Sequence, residues 1–503
     1  MSTPSLADQL SLPLGETRRA VIDIGSNSVR LVLFNGPARS PLPILNEKSL
    51  CGLGRDMTAE GDLNPKARAE ALRVIERFAA LLEAHDNPPT EVIATAAVRD
   101  ARDGDSFVAA VQKMGFVISL LSGKREAELA ANGVLSLIPA AHGFAGDLGG
   151  GSLELIGLQR GELEGMGSLK VGPFQLMKQT GSDLRASNGV VKKALAKAAW
   201  LDEASTDVFY AVGGAWRTIA RMHMALREYP LSVLHHYTMT ATEVIELCEL
   251  IEKQSRQSLQ TMDGISRRRL DTLPYAALVL RRIVQTFKVK AVVISAGGVR
   301  EGVLYTGLSK KVQALDPVIA FARVLARRFA PTPALGQAII PIIADIFPPT
   351  DEAHRRLQMM ICLLMDLAAY MHPSHRGRQA FDMALGLPIV GLSHDDRIMA
   401  GLALYRRYEG RSAKAPDARA VKLLSRAQVD WAETLGLAIR FLADFSPKSA
   451  LPLNGCTLKQ TDSQIVFTVP EEKAALMGDL PLKRLSSLAT RMDLKPGFKT
   501  EKS

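Results

Sequence analysis

The sequence predicts an α/β protein with two similar lobes, followed by a helix-rich part and a small C-terminal α+β tail. Three observations support this prediction. A glycine-rich turn led by aspartate occurs twice, strands alternate with helices through residue 305, and prolines punctuate a helical stretch beyond it. The chain has 503 residues, of which 47% are hydrophobic, and is therefore long enough for several folded domains.

The composition and the N-terminal segment predict a soluble, cytoplasmic protein. The cysteines are few and scattered, which favours a reducing compartment over a disulfide framework: they are Cys51, Cys248, Cys362 and Cys456. The first eighteen residues contain no continuous apolar run, so a secretory signal is not expected. The most apolar stretch, residues 358–371, is shorter than a membrane span and carries Asp366.

The duplicated turn is the strongest local signal. Residues 23–31 read D-I-G-S-N-S-V-R-L and residues 147–155 read D-L-G-G-G-S-L-E-L, each flanked by β-type residues. Each copy predicts a hairpin whose tip presents unpaired backbone N–H groups, and such a tip can bind phosphate. A plain surface hairpin is the alternative for either copy alone. The predicted phosphate-binding residues are Ser26, Asn27, Ser28, Gly149, Gly150, Gly151 and Ser152.

Each copy of the turn also begins with an aspartate. Asp23 and Asp147 could simply accept hydrogen bonds from nearby backbone groups. A carboxylate beside a bound phosphate repels it, however, unless a cation lies between them, so the pair predicts Mg²⁺ held directly or through water. This chemistry is typical of phosphoryl transfer.

A second pair of turns occurs further along the chain. Residues 208–219 and 291–302 each contain a buried-type strand, then Gly-Gly, then an arginine. The repetition suggests matching positions in a two-lobed architecture, although Gly-Gly could serve close packing alone.

Helices and strands are expected to alternate between these turns. The predicted elements are a helix from Asn64-Pro65 to about His85, a strand at 91–98, a helix at 104–114, a strand at 116–121 and a helix from 123 to about 137 capped by Ser122. Arg99 follows the predicted strand at 91–98, where its guanidinium could bind phosphate through two parallel hydrogen bonds. A salt bridge to Asp100 or Asp103 is the alternative.

Five motifs in this order resemble the exopolyphosphatase / guanosine pentaphosphate phosphohydrolase family. They are residues 23–31, 94–101, 122–129, 146–155 and 295–305. The resemblance implies the actin-like (ribonuclease H-like) fold with two similar domains closing over a cleft. We place these domains at 1–135 and 136–310. The resemblance also suggests that the protein forms a homodimer.

The resemblance implies a role for Glu126 as the catalytic base. The matching position in S-G-K-R-E-A-E-L is Glu126, one turn into a helix, where a carboxylate could accept a proton from the attacking water. Arg125 stands where the family commonly has a glutamate, so it could bind phosphate or lower the basicity of Glu126. Glu154 aligns with Arg30 in the duplicated turn and could join the metal or water network.

The C-terminal part resembles the helical, HD-like domain of long members of the same family. We place it at 311–440, followed by a small domain or tail at 441–503. Pro373, after His372, stands where such a domain has the aspartate of its His-Asp pair. Hydrolysis by a binuclear metal centre is therefore not expected there. His372, His375, His394, Asp395 and Asp396 match no clean ligand pattern. A hairpin turning at 461–463 and a basic tail are predicted beyond it.

The net charge of +10 lies mainly in this C-terminal part. Such charge could steer a polyanion towards the cleft, as could scattered solvated side chains with no function. The candidates are Arg323, Arg327, Arg328, Arg355, Arg356, Arg376 and Arg378. Nucleic acid is a less supported partner, because aromatic residues, which stack on bases, make up only 5% of the chain.

The sequence thus favours a Mg²⁺-dependent exopolyphosphatase that hydrolyses the terminal phosphoanhydride of inorganic polyphosphate to release orthophosphate. Hydrolysis of guanosine pentaphosphate (pppGpp) by the same residues is the nearest alternative. A kinase or ATPase of the same fold, and a non-catalytic sensor of polyphosphate or guanosine tetraphosphate, are the rivals from other classes.

Overall fold

The first-lobe and second-lobe sheets repeat one arrangement of strands. The computed structural model describes residues 5–54, 57, 58, 60–159, 161–203, 207–265 and 269–502. The strands are β1 (Glu16–Ile24), β2 (Val29–Pro37), β3 (Leu42–Ser49), β4 (Thr90–Ala94), β5 (Ile118–Leu120), β6 (Gly143–Leu148), β7 (Leu153–Gln159), β8 (Glu162–Leu169), β9 (Val208–Val212), β10 (Thr238–Thr240), β11 (Ala291–Ile294), β12 (Thr457–Gln460), β13 (Gln464–Pro470) and β14 (Lys495–Glu501).

The first sheet has the order β3-β2-β1-β4-β5, and the second has the order β10-β11-β9-β6-β7-β8. In each, an antiparallel hairpin (β1-β2 or β6-β7) is followed by a third antiparallel strand, and its first strand pairs in parallel with a later one. β10 is an addition at the edge of the second sheet. The predicted duplication within an α/β fold is therefore confirmed.

Helices separate the strands and dominate the chain beyond residue 306. Their bounds are α1 (Leu6–Gln9), α2 (Pro65–Glu83), α3 (Ala96–Arg99), α4 (Gly104–Gln112), α5 (Gly123–Leu137), α6 (Pro173–Thr180), α7 (Leu184–Leu195), α8 (Gly214–Leu226), α9 (Ala241–Lys253), α10 (Arg256–Thr261), α11 (Leu273–Thr286), α12 (Val299–Thr306), α13 (Lys310–Gln313), α14 (Pro317–Phe329), α15 (Pro333–Ile343), α16 (Glu352–Leu363), α17 (Arg376–Gly386), α18 (His394–Glu409), α19 (Ala418–Val421), α20 (Arg426–Phe445) and α21 (Asp479–Arg491).

The chain divides into two compact units. The two-lobed unit contains residues 14–229 and 234–313, and the C-terminal unit contains residues 230–233, residues 314–502 and the described residues before 14. The division into domains 1–135, 136–310, 311–440 and 441–503 stays a prediction. The backbone N–H of Asp316 donates to the Gln9 side chain at 2.6 Å, and the buried Arg323 guanidinium donates to the carbonyls of Gln9 and Leu12. A buried arginine needs such acceptors, and these carbonyls come from α1 and the segment after it. These contacts hold α1 in the C-terminal unit.

Apolar residues spaced along each strand and helix form the cores of the two lobes. In the first lobe, Ile22 and Leu31 of the hairpin pack with Phe78 of α2 and Phe107 of α4. In the second lobe, Phe144, Phe209 and Trp216 form a ring cluster beneath the sheet. These cores hold the ends of β1 and β6 rigidly, and those ends carry the glycine turns.

Two helices that cross at glycines join the lobes within the two-lobed unit. α5 and α12 pack closely against each other. A Cβ placed on Gly302 of α12 would lie 1.8 Å from the Leu129 carbonyl oxygen of α5, and one on Gly133 would lie 2.0 Å from the Gly298 oxygen. The close approach therefore requires glycine at these positions.

Several expected elements differ from those observed. The strand predicted at 91–98 ends at Ala94, and 96–99 is a short helix in which the Arg99 N–H donates to the Thr95 carbonyl. The two Gly-Gly turns lie in one sheet, after the adjacent parallel strands β9 and β11, instead of one in each lobe. The predicted helix from 123 to about 137 is confirmed with its Ser122 cap.

The C-terminal unit is helical from α14 to α20 and ends in a small sheet. β12 and β13 form the predicted hairpin, and β14 adds in parallel to give the order β12-β13-β14. The segment predicted as a basic tail is largely folded: Lys483, Arg484 and Arg491 lie on α21, and Lys495 and Lys499 lie on β14. No helix among the described residues is long and apolar enough to cross a bilayer.

Candidate active site

The two glycine turns have the same geometry. In the first, the Gly25 N–H donates to the Ser28 carbonyl at 3.0 Å; in the second, the Gly149 N–H donates to the Ser152 carbonyl at 3.0 Å. Asp23 pairs with Arg30 across the first hairpin, and Asp147 pairs with Glu154 across the second. The sequence repeat is thus a repeat in three dimensions.

Both turns line one cavity of about 470 Å³ in the two-lobed unit. The predicted phosphate-binding residues that line it are Ser26, Asn27, Ser28, Gly149, Gly150, Gly151 and Ser152. A Cβ on Gly150 would lie 3.6 Å from the Cβ of Ser26, so the turns face each other closely. It would also lie 2.8 Å from the Phe174 ring, which explains why glycine is needed there.

Glu126 projects into the same cavity from the first turn of α5. Its Oε2 atom is buried and has no hydrogen-bond partner among the described residues. Burial, followed by the negative charges of Glu154, Asp147 and Asp23, raises the pKa of Glu126 well above the ordinary range of a glutamate. Such a carboxylate accepts a proton more readily than an exposed one.

The aspartates of the two turns have different surroundings. Asp23 Oδ2 accepts a hydrogen bond of 2.6 Å from the Arg300 guanidinium, and both side chains are largely buried. Burial raises the pKa of Asp147 to about 6, although the nearby Arg217 and Arg300 charges oppose this shift. The carboxylates therefore repel one another and are only partly neutralised by the arginines.

Basic side chains form the other wall of the cavity, and the sequence analysis did not assign them to the site. They are Arg30, Lys48, Arg217, Arg221, Arg269 and Arg300. Burial and the positive charges of four neighbouring arginines lower the pKa of Lys48 to about 8. Burial and the charge of Arg300 lower that of Arg217 to about 10. The six basic side chains outnumber the three carboxylates that line the cavity. This excess of positive charge favours a polyanionic ligand.

A sequence signal existed for two of these arginines. Arg217 is the third residue after Gly213-Gly214, and Arg300 is the second residue after Gly297-Gly298. The Arg217 Nε donates to the Gly213 carbonyl. Lys48 near the end of β3 and Arg269 before α11 carry no local motif. The Arg269 guanidinium lies against Gly214, where a Cβ would be 2.2 Å from it.

Two predicted site residues, Arg99 and Glu154, are not among the residues that line the cavity. Arg99 donates to the Leu121 carbonyl at 2.6 Å and pairs with Asp100, which is one of the salt bridges considered as the alternative to phosphate binding. Glu154 is 1% exposed and accepts a hydrogen bond from the Ser168 hydroxyl. Both act on Glu126 through charge, since Arg99 lowers its pKa and Glu154 raises it.

Arg125 does not neutralise the base. Its guanidinium pairs with Glu128 at 2.8 Å on the outer face of α5, with both side chains substantially exposed. The predicted effects of Arg125 on Glu126 and on substrate phosphate therefore receive no support from this geometry.

The donor set of the cavity fits a magnesium ion that shares its ligands with a substrate. Mg²⁺ usually binds one or two carboxylates and completes its octahedron with water and phosphate oxygens. The residues that would hold it are Asp23 and Asp147, which both line the cavity. Among the described residues, no group of three or more His, Cys, Asp or Glu side chains is arranged as a self-contained metal site.

Replacing Asp147 by asparagine is expected to stabilise the metal-free protein in a pH-dependent way. The pKa of an aspartate in the unfolded chain is about 3.9. Since the folded protein binds the proton up to about pH 6, ionising Asp147 lowers the free energy of unfolding across this window. Thermal melting in EDTA should show that the free energy of unfolding of the variant, relative to that of wild type, increases by on the order of 2 kcal/mol between pH 4 and pH 6. Above pH 6 this difference should stay constant. A difference independent of pH would contradict this assignment.

The arginines proposed to guide a polyanion along the C-terminal unit are partly engaged in the fold. Arg323 binds carbonyls of the N-terminal segment, Arg356 pairs with Asp316, and Arg378 pairs with Asp382. Arg407 and Lys448 are also engaged, because both contact the buried Asp366. These contacts favour a structural role for the basic residues of this unit.

A duplicated sheet with facing glycine turns, a carboxylate and a basic wall defines a two-lobed protein of the actin-like fold class with a phosphate-type site. The model of the Ppx/GppA phosphatase family matches residues 32–311, and the model of the exopolyphosphatase C-terminal domain matches residues 343–498. The chain belongs to the Ppx/GppA phosphatase family. Phosphatases of this family hydrolyse phosphoanhydrides and generally use a divalent metal ion.

Relatives with different names match this chain at similar identity. Retrograde regulation protein 2 of Saccharomyces cerevisiae is 25% identical over 82% of this chain and 76% of its own length. Exopolyphosphatase 2 of Mycobacterium tuberculosis is 25% identical over 55% of this chain and 92% of its own. Guanosine-5'-triphosphate,3'-diphosphate pyrophosphatase of Aeromonas hydrophila is 25% identical over 57% and 58%.

Solved structures agree on the fold. An exopolyphosphatase from Cytophaga hutchinsonii is 23% identical, with a TM-score of 0.53, and the match covers 58% of this chain and 97% of that one. The predicted actin-like fold of the first part of the chain is therefore confirmed.

Proposed function

We propose that this protein is a Mg²⁺-dependent exopolyphosphatase that removes terminal orthophosphate from inorganic polyphosphate. The observation that carries the proposal is the shared cavity, in which two facing turns, the buried Glu126 and six basic side chains meet. Membership of the family supports hydrolysis, and the excess of positive charge supports a substrate with many phosphates.

Each group in the cavity has a separate task in this proposal. The N–H groups and hydroxyls of the two turns bind the oxygens of the terminal phosphoryl group. Arg217 and Arg300 lie beside them and stabilise the negative charge that develops there. A bound Mg²⁺ would neutralise phosphoryl oxygens, held by Asp23 and Asp147.

Glu126 orients the attacking water and accepts its proton. Its unpartnered Oε2 provides the acceptor, and a hydrogen bond from water would satisfy this buried atom. Burial and neighbouring carboxylates disfavour the ionised form of Glu126, and a bound divalent cation would favour it.

Orthophosphate release from defined substrates tests the proposal. Polyphosphate and pppGpp are assayed separately with Mg²⁺ and with EDTA. Release from polyphosphate that requires Mg²⁺ is the expected result. Preferential release from pppGpp would favour the alternative activity, and release from neither would contradict both.

A regulatory function is the second candidate, because one relative matches most of this chain and is named a regulation protein. A non-catalytic sensor of polyphosphate or of guanosine tetra- and pentaphosphate would use the same turns and basic wall. Calorimetric binding without turnover, unchanged by Glu126→Gln, would favour it.

A further inference from the structure

A second cavity adjoins the catalytic one in the two-lobed unit. Its volume is about 970 Å³, and it shares Asn27 and Lys48 with the catalytic cavity. Its other walls are the segment that follows β3, the first turns of α2 and the start of α10. We name this space the flanking chamber.

The wall between the two cavities is fixed by backbone hydrogen bonds. The Gly52 N–H donates to the Asn27 carbonyl at 3.2 Å, and the Gly54 N–H donates to the Ser26 carbonyl at 2.7 Å. Gly52 has a φ of 68°, which favours glycine, and a Cβ on Gly54 would lie 2.8 Å from that of Ser26. The first glycine turn therefore lines both cavities. One extended ligand can contact the catalytic cavity and the flanking chamber together.

The flanking chamber has a basic lining. It contains four basic side chains, Lys48, Lys66, Arg73 and Arg256, against two acidic ones, Glu70 and Asp271. The acidic side chains are paired, Glu70 with Arg73 and Asp271 with Arg256. Among the described residues, no carboxylate lies within salt-bridge distance of Lys48 or Lys66. These two lysines are therefore available to an anionic ligand.

The same lining lacks the features that recognise a nucleoside. None of the described residues that line it is aromatic, and Leu50 is its one large aliphatic side chain. Base recognition generally uses stacking on rings or an apolar slot, whereas a phosphate chain needs charge and polar groups alone. The first turn of α2, where Asn64 caps two N–H groups, adds partial positive charge.

We propose that the flanking chamber binds the internal phosphates of a linear polyphosphate whose terminal phosphoryl group lies between the two turns. The inference rests on the proposed function and extends it, because it assigns the polyphosphate a path past Asn27, Lys48 and Lys66. It makes long polyphosphate, and not a nucleotide, the substrate class for which this cavity is built.

Charge reversal at Lys66 separates this inference from the proposed function. Lys66 is exposed and lies outside the catalytic cavity, so Lys66→Glu leaves the turns and Glu126 in place. Steady-state kinetics of the full chain are measured on tripolyphosphate, on long-chain polyphosphate and on pppGpp. We expect KM for the long chain to rise about fivefold, with kcat unchanged and KM for tripolyphosphate and pppGpp within about twofold.

Salt dependence and a matched variant complete the experiment. The slope of log KM for the long chain against log salt should become flatter by roughly 0.7 to 1, as expected when one phosphate contact is lost. Lys192→Glu, at an exposed lysine of α7, should leave the slope and every KM unchanged. Equal effects of Lys66→Glu on short and long substrates, or none on the long chain, would overturn the inference. Wild type inactive on every substrate would instead contradict the proposed function.

Discussion

Glu126→Gln is expected to lower the rate of orthophosphate release by roughly 10²- to 10⁴-fold, the range that a positioned general base contributes. Glutamine keeps the shape and one oxygen of the side chain but cannot accept the proton of the attacking water. Because the turns and the basic wall are unchanged, KM should change far less than kcat. Stopped assays of phosphate release with saturating substrate would measure this loss.

The same substitution should stabilise the metal-free protein. Burial and three neighbouring carboxylates raise the pKa of Glu126 to about 9. At pH 8 the folded protein must therefore bind a proton that the unfolded chain has released, and glutamine removes this cost. We expect the free energy of unfolding to rise by about 1–2 kcal/mol at pH 8 in EDTA. A gain in stability that accompanies a loss of activity is characteristic of a group held for chemistry.

Glu128→Gln is the matched control on the same helix. Glu128 pairs with Arg125 on the outer face of α5, and both side chains are substantially exposed. Surface pairs of this kind contribute about 0–1 kcal/mol, so activity and stability should remain close to wild type. Full activity in Glu126→Gln, or equal losses in both variants, would show that Glu126 is not the base.

Gly302→Ala is expected to give the largest loss of stability. The new Cβ would lie 1.8 Å from the Leu129 carbonyl oxygen, so α5 and α12 would have to separate. Forcing an extra methyl into a packed contact costs typically 1–3 kcal/mol, and this contact is with rigid backbone, so we expect about 3 kcal/mol. Urea unfolding followed by circular dichroism would measure it.

The loss should extend to activity, since the two helices carry site residues. α5 carries Glu126 and α12 carries Arg300, which holds Asp23. Gly189→Ala is the control, because a Cβ at Gly189 in α7 meets no atom within 4 Å. That substitution should raise stability by about 0.5–1 kcal/mol through helix propensity. Equal stability of the two variants would contradict the close crossing.

Local patterns predicted the parts of the site that depend on neighbours in the chain. The turns at 25–28 and 149–152 could be predicted because a tight hairpin requires glycine and small polar residues within a few positions. Ser122 and the helix carrying Glu126 were predicted for a similar reason, since a cap and a helical repeat are short-range features.

Contacts between residues far apart in the chain could not be predicted in this way. Arg99 pairs with the adjacent Asp100, as the predicted alternative has it, but it also donates to the Leu121 carbonyl, 22 positions along the chain. Asp23, a predicted metal ligand, accepts a hydrogen bond from Arg300, 277 positions along the chain. Sequence periodicity contains no information on such pairs.

The sequence by itself therefore determined the α/β class, the duplicated turn and the helix that carries Glu126, because each follows from the spacing of apolar, glycine and capping residues within one or two turns. Only the tertiary structure decided that Lys48, Arg217, Arg269 and Arg300 share the wall of one cavity, and that the N-terminal helix belongs with the C-terminal unit. The physical reason is that packing and charge act between residues close in space, and chain folding brings distant residues to those positions.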